Sequence, residues 1–94
     1  GVAVSRPSAQ TATKVKKGNI LIAIKDTGKI WINKREVDLR AVRAVVEKMH
    51  AENPEGSAVI IADRGSRTGD LVTVMDQIKA AKVEQISIAA TKED

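Results

Sequence analysis

Residues 18–34, GNILIAIKDTGKIWINK, carry an apolar alternation broken by two turn signals. Ile20, Ile22 and Ile24 alternate with Leu21, Ala23 and Lys25, the period of two expected of a strand with one strongly apolar face. Asp26-Thr27-Gly28 supplies turn residues, and Gly28 is free to take a positive φ. Lys29-Ile30-Trp31-Ile32 then reads as the second strand of a hairpin. Asn33-Lys34 reads as another tight turn, since Asn33 tolerates the left-handed region.

Downstream the period changes from two to that of a helix. Asp38 is a plausible N-cap for a helix reaching about Glu52. Leu39, Val42, Val45, Val46 and Met49 share one stripe of it, while Arg40, Arg43, Glu47 and Lys48 lie mainly on the other sides. Asn53-Pro54-Glu55-Gly56 closes it, because proline disfavours helix for the residue before it. Ala58-Val59-Ile60-Ile61-Ala62 is a bounded apolar run, which predicts a central strand covered on both faces. After the polar loop Asp63-Arg64-Gly65-Ser66-Arg67, a second helix is predicted from Thr68 or Asp70. Leu71, Val74, Met75 and Ile78 form its buried stripe. Gln85-Ile86-Ser87-Ile88-Ala89 is the last predicted strand.

The order β-β-α-β-α-β predicts an α+β fold, a small mixed sheet with two helices packed on one face. Strand–helix–strand steps favour right-handed crossovers between parallel strands. The opposite face then carries Leu21, Ala23 and Trp31, a candidate docking or dimer surface.

Composition narrows the function. Ninety-four residues fit one small domain, and 43% hydrophobic residues supply a core. Trp31 is the only aromatic residue, so that core is aliphatic. With no cysteine there is no disulfide, no thiolate nucleophile and no Cys-based metal site. His50 is the only histidine, and it has no acid–base partner in the sequence pattern. Ser66 lacks the context of a nucleophile elbow. Catalytic, cofactor and metal sites are therefore not expected.

The net charge of +4 invites a nucleic-acid reading, but its distribution argues against one. Arg6, Lys14, Lys16 and Lys17 all lie in residues 1–17, where there is no acid, and they account for the whole excess. The remaining chain is neutral and has no second aromatic for stacking. Residues 1–17 are small, polar and basic and predict a flexible leader; 92–94 form a charged tail. Val2 and Val4 alternate with small residues, so that a strand formed only in an assembly is a further expectation.

Asp63 ends a predicted central strand, where α/β folds tend to place ligands. Asp70 and Asp76 cannot join it in a cation site, being roughly 240° apart around one helix. The structural alternative is that Asp63 accepts backbone N–H groups of its own loop. Arg64 and Arg67 precede a helix N-terminus and are candidates for an anionic group such as a peptide carboxylate.

Together, the hairpin, Asn53-Pro54, VIIAD (59–63) and LVTVMDQIKAAKVEQISIA (71–89) resemble the periplasmic domain of the ExbD/TolR family. The likeness covers about residues 18–90. Ala62-Asp63 and Val74-Met75-Asp76 lean toward the ExbD branch. Arg6-Pro7 and Lys82 stand where that family commonly carries leucine–proline and glycine.

The resemblance implies an accessory subunit of a proton-driven inner-membrane motor in a Gram-negative bacterium. Its single transmembrane helix would precede residue 1 and carry both the proton-pathway aspartate and the contact with an ExbB-like subunit. The implied partners are a second copy and a TonB-like energy-transducing protein, serving outer-membrane nutrient uptake. A TolR-like peptidoglycan-binding module is the alternative. Val2, Val4, Leu21, Ala23, Trp31, Asp63, Arg64 and Arg67 are the candidate partner-binding residues.

Overall fold

A computed structural model describes residues 18–91 of the chain. In chain order these form β1 (Ile20–Ile24), β2 (Ile30–Ile32), β3 (Arg35–Val37), α1 (Val42–Glu52), β4 (Ala58–Ala62), α2 (Thr68–Ala80) and β5 (Ile86–Ala90). One mixed sheet runs β3-β2-β1-β4-β5. The hairpin pairs are antiparallel, whereas β1–β4 and β4–β5 are parallel. The predicted α+β class, a mixed sheet with two helices, is found.

Register explains the core. Ile22 lies opposite Ile32 on one side and Ile60 on the other, and Ile60 lies opposite Ile88. This row faces the helices, where Val42 and Val46 of α1 and Val74 and Ile78 of α2 meet it. Ile22, Ile60, Val46 and Ile78 are all 0% exposed. Burying a side chain of this size stabilises the fold by about 1.5–3 kcal/mol.

Two features depart from the pattern read in the sequence. The turn at Asn33-Lys34 leads into a third short strand, β3, at the sheet edge. The two turn residues have φ 48° and 72°, the paired left-handed geometry that fits the twist of a two-residue hairpin. In addition, the described residues cover β4 on one face only, with Val59 and Ile61 half-buried on the other. Both strand–helix–strand steps move in the same direction along the sheet, so crossovers of one hand place both helices on one side.

Asp38 caps as expected, accepting the Arg40 N–H at 2.8 Å. It caps a 3-10 turn, Leu39–Ala41, that leads into α1. Gln77 of α2 then clasps this entry, its Oε1 accepting the Arg43 N–H at 2.9 Å and its Nε2 donating to the Leu39 carbonyl. A Cβ at Gly56 would collide with the Gly18 carbonyl oxygen, so only glycine lets the chain enter beside the Asn53–Gly56 turn.

Candidate interaction surfaces

The uncovered sheet face is built by side-chain alternation. Trp31 lies opposite Ala23, Ala23 opposite Ile61, and Ile61 opposite Ala89. The next row sets Leu21 against Val59 and Val59 against Ser87. Asn33 fixes the hairpin over this row, its Oδ1 accepting the Leu21 N–H at 3.0 Å while its own N–H reaches the Leu21 carbonyl at 2.9 Å. Leu21, Ala23 and Trp31 line a shallow depression of about 410 Å³, bordered by Lys25 and Lys34. The structure therefore brings these three candidate residues together. It adds Val59 and Ile61, which were missed because a continuous apolar run does not reveal which face a helix covers.

Asp63 lies elsewhere, at the end of β4. Its Oδ1 accepts the Gly65 N–H at 2.8 Å, and its carbonyl accepts from Ser66 Oγ at 2.7 Å. This carboxylate is holding its own loop. Arg64 and Arg67 are exposed in that loop, and Arg67 is the N-cap residue of α2 without a side-chain capping bond. Val2 and Val4 lie outside the described residues. His50 is half-buried in the last turn of α1, with a buried Nδ1 that has no hydrogen-bond partner among the described residues.

The two sheet edges are the other features able to bind a chain. On β5, Gln85 accepts the Ala58 N–H, and Thr91 donates to the Ala62 carbonyl, each at 2.9 Å. With the parallel register, this phase turns the N–H and C=O of Ser87 and Ala89 inward. Those of Ile86, Ile88 and Ala90 point away from the sheet, a row of three residues without a strand partner among the described residues. No helix of the described residues is long and apolar enough to cross a membrane.

A mixed sheet of this form with two helices on one face has relatives. The family model for the biopolymer transport protein ExbD/TolR matches residues 1–93. The chain belongs to the ExbD/TolR family. It is 41% identical over 92 residues to the biopolymer transport protein exbD2 of Vibrio cholerae, covering 98% of this chain and 69% of that protein. It is 20% identical over 93 residues to a putative biopolymer transport protein ExbD of Synechocystis, covering 99% of this chain and 35% of that one. ExbD/TolR proteins are transport accessory proteins of the bacterial envelope rather than catalysts.

Proposed function

We propose that this is the periplasmic domain of an ExbD-like accessory subunit of a proton-motive-force-driven inner-membrane motor. It works as a homodimer beside an ExbB-like membrane subunit and binds an extended segment of a TonB-like energy-transducing protein, in support of outer-membrane nutrient uptake. The β5 edge carries this reading. Its three outward-facing residues offer backbone donors and acceptors to an added strand, the mode in which main-chain bonds give affinity and alternate side chains give selectivity. The apolar face around Leu21, Ala23 and Trp31 is the surface assigned to the second copy.

Ala90→Pro tests the edge. It deletes an outward N–H and no ladder bond, so the fold is retained. Titrating the labelled chain with a periplasmic linker peptide of a TonB-like protein should shift amides along β5, and Ala90→Pro should abolish those shifts. Unchanged binding by the variant would sink strand addition at β5.

A TolR-like, peptidoglycan-binding role is the second reading. It is favoured by the exposed Arg64 and Arg67, neither of which is ion-paired among the described residues. Pull-down with purified sacculi, repeated with both arginines replaced by alanine, separates the readings. Salt-sensitive retention lost in the double variant supports the wall, whereas strand addition is less sensitive to salt.

A further inference from the structure

The other sheet edge differs from β5 in having a groove beside it. β3 and α1 enclose a cleft of about 470 Å³ on the helix side of the sheet. Val37 of β3 and Val45 and Met49 of α1 provide its apolar surface, each only partly buried against the core. Met49 adds an adaptable side chain able to fit different apolar partners. Arg35 and Lys48 stand exposed at the rim, with Glu52 as the one acid.

Backbone phase makes this edge receptive. In a two-residue hairpin the pair flanking the turn, Ile32 and Arg35, exchanges hydrogen bonds, and the next pair, Trp31 and Glu36, does not. The N–H and C=O of Glu36 therefore point outward. A strand laid there has one face in the cleft between β3 and α1, the arrangement by which edge-plus-helix grooves read peptides.

Charge selects the occupant. Arg40 and Arg43, the neighbouring cations of the α1 region, are paired with Asp38 at 3.3 Å and Glu47 at 3.0 Å. Arg35 and Lys48 have no such partner among the described residues. The chain's own residues 1–17 carry four bases and no acid, so their charge opposes these two cations. An acidic chain fits.

We infer that the β3–α1 cleft is a second docking site, taking an extended acidic segment of a partner polypeptide as a sixth strand of the sheet. An apolar side chain of that segment rests on Val37, Val45 and Met49, and a carboxylate two residues along, on the same face of the added strand, meets Arg35 and Lys48. The site does not depend on the β5 edge or on the identity of the motor.

The test titrates the full labelled chain with the end-blocked heptapeptide Ser-Val-Ser-Glu-Ser-Val-Ser, which sets valine and glutamate on one face of a strand, and separately with the same peptide carrying lysine in place of glutamate. The acidic peptide should shift the amides of Arg35–Val37, Val45 and Met49, and the basic peptide should not. Arg35→Glu with Lys48→Glu should weaken the acidic peptide about tenfold at low salt, the combined effect of two exposed charge pairs. That exposed double variant should also gain binding of the basic peptide. Glu36→Pro removes the outward N–H and should abolish binding while amide dispersion is kept. Shifts confined to β5, equal shifts with both peptides, or full binding by Glu36→Pro would each overturn the assignment. The β5 reading would be untouched by such a result, because Ala90→Pro reports on it separately.

Discussion

The two faces of this sheet are made by the same strands, yet they differ in what covers them. On one face Ile20, Ile22, Ile24 and Ile60 lie under two helices and are at most 2% exposed. On the other, Leu21, Ala23, Val59 and Ile61 are almost as apolar but only half-buried. The residue types barely distinguish them; topology does. Both crossovers return on one side, so the second face keeps its apolar side chains without a helix to hide them. That leftover surface is the one the proposed second copy would cover.

Truncating neighbours on opposite faces should give unequal losses of stability. Ile22→Ala should cost about 2–5 kcal/mol, because the closed core cannot collapse into the space left. Leu21→Ala should cost about 1 kcal/mol or less, since water already reaches that side chain. Urea unfolding of the two variants measures the gap. Equal losses would mean that the uncovered face is already closed in solution, as by a second copy.

Gln77→Ala acts on the covered face without removing apolar surface. It frees the Arg43 N–H and the Leu39 carbonyl together and should cost about 1–2 kcal/mol, the usual penalty for a lost helix-end partner. Hydrogen exchange should show the loss first in the opening turn of α1. Uniform loss across the sheet would instead place Gln77 in the global core.

Most of this architecture was legible in the sequence. The isoleucine alternation in β1, the 38–52 stripe and the proline stop each have one strong physical signal. β3 was not legible because Arg35-Glu36-Val37 is three residues with two charges, too short for any period to show. The uncovered face of β4 was misread because handedness, not composition, decides which side a helix takes. Leu21, Ala23 and Trp31 were found by alternation alone. The β3–α1 cleft was not, since it exists only once Val37 folds back beside Val45 and Met49. Asp63 was open to two readings, and its bond to the Gly65 N–H favours the structural one.

Local backbone terms should be the same on both faces, and two lysines test that. Lys34 has φ 72° in the hairpin turn, and Lys82 has φ 70° just past α2. Such conformations cost a side-chain-bearing residue roughly 1–2 kcal/mol, partly offset by glycine's larger entropy loss on folding. Lys34→Gly and Lys82→Gly should each stabilise by about 0.5–1 kcal/mol in thermal melts. A gain at one position only would show that a tertiary contact, rather than φ, sets the cost at the other.

Asp38 offers the smallest effect and the one that pH can isolate. It is exposed at the start of the segment that delivers α1 onto the covered face. The Arg40 backbone N–H, followed by the Arg40 guanidinium, holds its carboxyl below the ordinary value. A carboxyl with a depressed folded pKa adds stability that is complete above the unfolded value, about 3.9. That stability is lost as pH falls through the lower folded value. Asp38→Asn keeps a backbone acceptor but has no charge to lose. The melting-temperature difference between the two proteins should therefore be constant near neutrality and shrink below about pH 4. High salt should reduce the part that comes from the guanidinium and leave the backbone bond. A difference that persists unchanged into acid would mean that neither Arg40 group depresses the Asp38 carboxyl, and the entry into α1 would then hold without its charge.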